Sequence, residues 1–409
     1  MSIYETPELT DKDRSVLSEI YEMRTSLADV LRTPRRWTGG LRRTMLARAI
    51  LGSNSIEGYV VAEDDAVAAL EDEEPLSADQ RTFAEIRGYR QALGYVLQCA
   101  GDPHFRYDTS IIRSMHYMML SHDLSKSPGQ YRQGPIYVHD ERTDRRVYEG
   151  ADLTEVPLLM EVLAERLRSD GSVDPLVRAA MAHLNLVMIH PFRDGNGRMA
   201  RALQTLVLSR DAIVEPAFSS IEEWLGSNTE DYYRVLAITG KGSWNPQESA
   251  QLWVSFNLRA HHMQAQTVAR RFQEASAIWA ELDALVAADK LPDRVTGLLY
   301  EAVLGYRVRR PLYVKLAEVE DRTATRDLVR LVDHGLLEAR GERRGRHYVA
   351  GAALDQVRRR IREQRRPIED PYLGMPVVLA TEAAALTGTA RPDGRWSAAA
   401  ARGNSPPHA

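Results

Sequence analysis

From His190 to Arg201 the chain reads HPFRDGNGRMAR: one histidine, one carboxylate, a Gly-Asn-Gly turn and, closing it, two arginines three residues apart. Glycines at 195 and 197 let backbone N–H groups approach a ligand closely. A helix opening there presents unpaired N–H donors and the positive end of its dipole, which together favour phosphate. Arg198 and Arg201 lie one turn apart on one helical face. Two guanidinium groups above such a nest exceed what one phosphate needs and suit a di- or triphosphate. Asp194 borders the turn, where phosphate would repel it unless a divalent cation joined them. Mg²⁺ suits one carboxylate plus phosphate oxygens. His190, mostly neutral at pH 7 if its pKa is the ordinary value of about 6.5, is placed to take a proton from an incoming hydroxyl. Phe192 would anchor the loop. Singly, these features are a polar helix end, a turn and a solvated face. Jointly, they read as a site where a nucleotide is clamped and a hydroxyl attacks phosphorus.

The stretch resembles the signature of Fic-domain proteins, His-Pro-Phe-x-(Asp/Glu)-Gly-Asn-Gly-Arg-x-x-Arg, at all nine specified positions. The likeness covers roughly residues 41–256. It implies a mainly α fold, a helical bundle with a β-hairpin flap, and transfer of AMP from ATP to a target hydroxyl. It implies His190 as general base and Asp194 as Mg²⁺ ligand. Gly195, Asn196 and Gly197 would meet the α- and β-phosphates, and Arg198 and Arg201 the β- and γ-phosphates. Relatives that phosphorylate carry Lys where Gly197 stands, so the glycine favours AMP transfer.

A second stretch, SNSIEG from Ser53 to Gly58, would otherwise pass as a helix end. Ser53 and Glu57 are four apart, hence on one face. It resembles the family's inhibitory motif, (Ser/Thr)-x-x-x-Glu-(Gly/Asn). That likeness implies that Glu57 pairs with Arg201 and takes the place of the γ-phosphate. A family variant uses this glutamate to remove AMP. The hairpin around Gln133–Tyr148 looks like the family flap, with Ile136 and Val138 expected to grip a target chain by main-chain pairing. Tyr232, in NTEDYYRVL, resembles the segment flanking the nucleobase, with Tyr233 beside it; many relatives carry Asn where Gly240 stands.

These residues need helices to hold them. Ser77 with Gln80 reads as a capping box before the stripe Phe83, Ile86, Leu93, Val96, Leu97. Another helix is expected from Thr109 to Leu120 after Asp108. Asp174 with Pro175 opens a helix that is apolar nearly all round and should be buried. Pro191 ends it at His190, and Arg198 begins the next, to about Arg210. From Val295 the order is helix, helix, helix, strand, turn, strand, that of a small winged helix-turn-helix, whose third helix closes at Gly335. Residues 291–366 hold 18 Arg and Lys against 11 Asp and Glu, inside a chain of net charge −4. That asymmetry leaves two readings: contact with DNA, through Thr325, Arg326 and Arg330 and, on the wing, Arg343, Arg344 and Arg346, or packing of the module on the core or on a partner. The segment is expected to fold alone.

The expected division is an N-terminal helical region (1–108) with the inhibitory motif at 53–58, a catalytic core (109–260), a connecting helix (261–290), the winged module (291–366) and a tail (367–409) without structure from about Gly388. Cys99 is the only cysteine, which excludes an intrachain disulfide and a cysteine metal cage. No apolar run nears the roughly 20 residues of a membrane span, and the polar first residues are unlike a signal peptide. The expectation is a cytoplasmic, autoinhibited protein adenylyltransferase using ATP and Mg²⁺. Its expected partners are a target protein presenting a Ser, Thr or Tyr hydroxyl, a second copy of the chain, and DNA. The competing expectation is a DNA-binding regulator whose core only senses nucleotide; an intact His190 weighs against it, since sensing needs no base.

Overall fold

The computed structural model of this chain describes residues 2–70, 73, 75, 77–140, 146–210, 214–342, 345–387 and 396–399. Helix α1 (Asp11–Leu31) opens on a capping box between Thr10 and Asp13. α2 (Thr38–Ile56) carries Ser53 in its last turn, with Glu57 as C-cap. α3 (Glu63–Leu70) and α4 (Gln80–Gly101) follow. The cap of α4 is Asp79, which accepts from the N–H groups of Arg81 and Thr82, and not the expected Ser77. Ser77 is taken instead by buried Asp65, to which its hydroxyl donates.

α5 (Thr109–Leu120) starts after Asp108, as expected. Strands β1 (Tyr137–Asp140) and β2 (Arg146–Glu149) pair antiparallel, with an irregularity between Val138 and His139. α6 (Val156–Ser169) leads to α7 (Pro175–Ile189), capped by Asp174, and α8 (Asn196–Arg210) opens two residues before the expected Arg198. α9 (Pro216–Ser219), α10 (Glu222–Ser227), α11 (Thr229–Gly240) and α12 (Gln251–Ala288) complete the bundle. α7 is its axis: thirteen of its fifteen residues are buried, so its apolar surface needs neighbours on every side. Trp253 of α12 locks onto it by donating its indole N–H to the Ala180 carbonyl at 2.7 Å.

The next elements are α13 (Thr296–Leu304), α14 (Arg310–Ala317), α15 (Asp321–Asp333), β3 (Leu337–Arg340), β4 (His347–Ala350) and α16 (Ala352–Glu363). β3 and β4 form an antiparallel hairpin after three helices. This module does not own its core. Leu298, Tyr300 and Leu328 cluster with Val268, Phe272 and Trp279 of α12 and with Trp37. α12 runs unbroken for 38 residues, so the expected boundary at 260/261 falls inside one helix. The segment expected to fold alone depends on the second half of α12 to cover its apolar face. α2 also reaches the module: Arg43 pairs with buried Glu301 of α13.

α17 (Met375–Thr387) packs on α11. The tail expected to lack structure carries β5 (Trp396–Ala399), which pairs antiparallel with β1. Main-chain pairing asks little of side chains, so a low-complexity sequence can still add a strand. The remainder of the tail lies outside the described residues.

α2 crosses α10 with no room to spare: a Cβ on Gly52 would lie 2.3 Å from the Glu222 carbonyl oxygen. Gly94, on the exposed face of α4, has nothing within 4 Å of such a Cβ. Gly52→Ala is expected to destabilise the protein by about 1–3 kcal/mol through overpacking. Gly94→Ala is expected to stabilise it by roughly 0.5–1 kcal/mol. Denaturant midpoints of the two variants check this.

Candidate active site

The turn between α7 and α8 is fixed atom by atom. His190 caps α7 in the left-handed region, at φ 55° and ψ 58°, an uncommon place for a residue with a side chain. Arg132 holds it there: its Nε donates to the His190 carbonyl at 2.8 Å, and its backbone N–H to the Pro191 carbonyl at 2.9 Å. Arg132 also donates to the carbonyls of Gly134 and Ala151, tying the flap base to the same loop. Phe192 is fully buried and stacks on the His116 ring at 3.8 Å. His116 bridges onward, to the Asp194 carbonyl at 2.9 Å and from the Gly129 N–H at 2.8 Å. The Asn196 amide closes the turn, accepting from the Phe192 N–H and donating to its carbonyl, both at 2.8 Å. The Asn196 side chain is therefore committed to the loop. What it can offer a phosphate is its backbone N–H at the opening of α8.

His190 Nδ1 lies 3.0 Å from the Val187 carbonyl. A carbonyl only accepts, so Nδ1 carries the proton and Nε2 the lone pair. Nε2 is buried and without a partner among the described residues. Burial pushes the imidazole pKa down to about 4, so the ring is neutral at pH 7 and its free nitrogen is a base.

Charges surround the start of α8 in opposed pairs. Arg201 is 1% exposed. Its Nε donates to the Ser53 hydroxyl at 2.8 Å, and its NH2 to the Ser53 carbonyl at 2.9 Å and to Glu57 Oε1 at 2.7 Å. The Glu57 carboxylate keeps Arg201 protonated against the pull of burial. Glu57 also sits against Gly197: a Cβ there would lie 2.5 Å from Glu57 Oε1. Gly58, at φ +83°, makes the turn away from α2. Arg198 pairs with Glu85 at 2.5 Å, both 1% exposed. Asp194 accepts from the Gly195 N–H at 2.6 Å and pairs with Lys126 at 2.8 Å. Burial would raise the Asp194 pKa, but Arg198 and Lys126 hold it below the usual carboxylate range.

These groups open onto a pocket of about 720 Å³ lined by Glu57, Val138, His190, Asp194 to Gly197, Tyr232 and Tyr233. Among the described residues no three His, Cys, Asp or Glu side chains converge on one point. A Mg²⁺ here would have one protein carboxylate, Asp194, which suits an ion that keeps its remaining sites for water and phosphate oxygens.

Tyr232 is buried, and its hydroxyl bonds to His183 at 2.9 Å; it is a wall of the pocket and a core residue at once. Tyr233 reaches the same pocket and donates to the Ile56 carbonyl at 3.2 Å. At Gly240 a Cβ would lie 2.9 Å from the Tyr148 ring. Tyr148 of the flap thus fills the space an asparagine would need. Ile136 is 4% exposed, which corrects its expected role: it lies under the flap base, against Gly150, and cannot grip a passing chain. Val138 remains, half-buried at the pocket mouth. Thr325, Arg326, Arg330 and Arg346 are exposed on α15 and beside β4, far in sequence from the pocket; Arg343 and Arg344 lie outside the described residues.

Residues 106–208, which hold the base, the turn and both arginines, match the Fic/DOC family. The chain carries a Fic domain over this stretch. It is similar to the protein adenylyltransferases fic-1 of Caenorhabditis briggsae and Caenorhabditis elegans, 27% identical to each over 252 and 247 residues. These matches cover 59% of this chain and 45% of each relative, so the chain spans about half the length of the curated relatives it matches. A crystal structure of a Fic family protein from Desulfovibrio desulfuricans G20 shares the fold. Its TM-score is 0.55 at 22% identity, covering 85% of this chain and 99% of that one.

Sequence reading missed Arg132, Glu85 and Lys126. Arg132 stands in a turn-rich stretch with no period to mark it. Glu85 had a signal: it lies between Phe83 and Ile86 on a helix and is 1% exposed, a carboxylate on a buried face that needs a cation.

The Fic domain also buries histidines that must stay neutral. Burial lowers His116 and His190 to about 4 and His183 to about 3. In the unfolded chain they titrate near 6.5. Between these values the unfolded state binds more protons, so their contribution to stability is present above pH 6.5 and is lost as pH falls towards 4. Glu222, raised by burial to about 7, opposes them with one proton. The thermal midpoint is expected to fall steadily from pH 6.5 to 4.5, and Tyr232→Phe should leave that slope in place; melting curves across this range check it.

Proposed function

We propose that this chain is an autoinhibited protein adenylyltransferase. It transfers AMP from ATP to a Ser, Thr or Tyr hydroxyl of a target protein or of itself. One observation carries the reading: a buried, neutral His190 with its Nε2 lone pair unpaired, beside a helix N-terminus and two arginines. A pure nucleotide sensor has no use for such a base. The chemistry follows. Nε2 accepts the target's hydroxyl proton while that oxygen bonds to the α-phosphorus of ATP. The bond from this phosphorus to the α,β-bridging oxygen breaks, and pyrophosphate leaves. The backbone N–H groups of Asn196 and Gly197 and, once Glu57 has left it, the guanidinium of Arg201 supply donors where charge gathers on the phosphates. Asp194 would hold Mg²⁺, which when bound neutralises phosphate charge.

Glu57 supports the inhibited half of the reading. It occupies Arg201 and crowds the space above Gly197, where the terminal phosphate would lie. ATP that cannot reach Arg201 is not aligned for attack at its α-phosphorus. The winged module offers a DNA-facing surface on α15, and the Arg43–Glu301 pair joins it to the helix bearing the inhibitory motif. A cytoplasmic location accords with the described residues, none of whose helices is long and apolar enough to cross a membrane.

Four variants with radiolabelled ATP and Mg²⁺ test the proposal. Glu57→Gly should raise AMP transfer at least tenfold. Arg201→Ala should abolish it, because it loses the clamp along with the lock, and the double variant should match Arg201→Ala, the non-additivity of one network. His190→Ala should lose transfer by a factor of about 10²–10⁴, as expected for a general base, while still binding ATP in a calorimeter. Equal transfer by wild type and Glu57→Gly would overturn the autoinhibition.

DNA contact is tested separately. Duplex affinity of the full chain should fall steeply with salt through counterion release, and Arg326→Ala with Arg330→Ala should flatten that slope by about two units. Salt-independent or absent duplex binding would leave the module a packing role.

A further inference from the structure

Lys126 lies outside both sequence motifs and makes the most consequential contact near Asp194. It ends the 3₁₀ turn Leu124–Lys126, where Asp123 caps the Ser125 N–H and Ser127 turns left-handed at φ 53°. This short, braced turn directs the ammonium group at two carboxylates at once: Glu85 Oε1 at 2.6 Å and Asp194 Oδ2 at 2.8 Å. Its side chain is 13% exposed and lies over the Tyr59 ring at 5.8 Å, with the Tyr59 hydroxyl 3.4 Å away.

The charges in this cluster balance. Glu57, Glu85 and Asp194 face Arg201, Arg198 and Lys126, so the resting site carries no net charge to attract a free cation. Glu85 cannot leave. It is 1% exposed and shared among Arg198, Lys126 and His122, and Arg198 and Lys126 bring its pKa to about 2 despite burial. Asp194 is different: its side chain is 31% exposed and borders the pocket. It is the carboxylate that a divalent cation could reach, and the oxygen facing Lys126 is the one that already carries a cation.

We propose that Lys126 is a positioning residue that stands in for the metal ion at Asp194, so that a divalent cation binds there only together with the nucleotide's phosphates. The inference rests on the reading of Asp194 as the cation ligand. The physical reason is competition. A divalent ion on Asp194 Oδ2 would sit within a few ångströms of the Lys126 ammonium, and at that separation like charges repel strongly in a half-buried site. Phosphate oxygens remove the conflict, because they ligate the ion and give Lys126 a new acceptor. Glu85 keeps Lys126 at hand throughout. Lys126 thereby guards the site against free metal, as Glu57 guards it against productive ATP.

The test uses Mn²⁺ as a paramagnetic probe, its binding to the full chain followed by electron paramagnetic resonance. Without nucleotide, wild type should bind Mn²⁺ weakly. Lys126→Met and Lys126→Gln should tighten binding by roughly tenfold or more, as loss of a unit charge at ion-pair distance demands. Lys126→Arg should behave as wild type, and adding Asp194→Asn to Lys126→Met should erase the gain. Melting curves confirm that the variants are folded. In the Glu57→Gly background with a non-hydrolysable ATP analogue, Asp194→Asn should weaken Mn²⁺ binding. If it does so but neither charge-removing variant tightens binding without nucleotide, the role of Lys126 is overturned and the metal reading stands. If Asp194→Asn has no effect with nucleotide, the metal reading falls and this inference with it.

Discussion

Arg201 carries a full positive charge where water does not reach, and the resting arrangement of the site follows from how that charge is met. A buried guanidinium without partners would cost several kcal/mol. Here Ser53 supplies a hydroxyl and a carbonyl, and Glu57 supplies the countercharge. All three acceptors come from the last turn of α2, so α2 must lie across the opening of α8. The close crossing of α2 and α10 at Gly52 holds it there. Such a pair adds little net stability, since desolvation offsets most of the attraction, but it is exacting in geometry. A contact that is specific yet nearly neutral in free energy suits a lock, which must open when its partner is replaced by phosphate.

The same logic extends around the turn. Arg198 answers to Glu85, Asp194 to Lys126 and Arg201 to Glu57, each at ion-pair distance. Glu57, with a side chain 19% exposed, can swing into solvent, whereas Glu85 at 1% cannot. The two glutamates are chemically alike, and burial alone separates the more exposed Glu57 from the fixed Glu85. Among the described residues, the buried atoms without a partner in this cluster are two donors, Arg198 Nε and Arg201 NH1, and one lone pair, that of His190 Nε2.

The flap joins the site through its base. Arg132 ties Gly134, Ala151 and His190 together, and Tyr148 donates to the Met188 carbonyl at 2.8 Å while filling the space beside Gly240. Movement of the hairpin is thus linked mechanically to the residue that carries the base. The outer edge of β1 bears β5, so the strand edge open to a target is already paired in the resting chain.

Much of this was legible in one dimension. The turn residues Gly195 to Gly197, the histidine and the two arginines are fixed by local rules: Pro191 ends a helix, glycines open the next, and residues three or four apart share a face; Glu57 was legible only through its resemblance to the family's inhibitory motif. Those rules act within about two helical turns, so type and spacing suffice to read them. What lay beyond them needed long-range packing. Glu85 and Arg198 are 113 residues apart, Lys126 and Asp194 are 68 apart, and Arg132 meets His190 across 58. No periodicity records such a meeting, because any surface carboxylate could in principle serve. Packing also overruled local signals where the two competed. Buried Asp65 took Ser77 from its helix cap, burial under the flap base took Ile136 from its edge, and the exposed apolar face of the winged module drew the second half of α12 into a shared core. The sequence determined the chemistry on offer. Only the tertiary structure decided which charges are paired, which carboxylate can move, and which nitrogen is left free, since each depends on what water can reach.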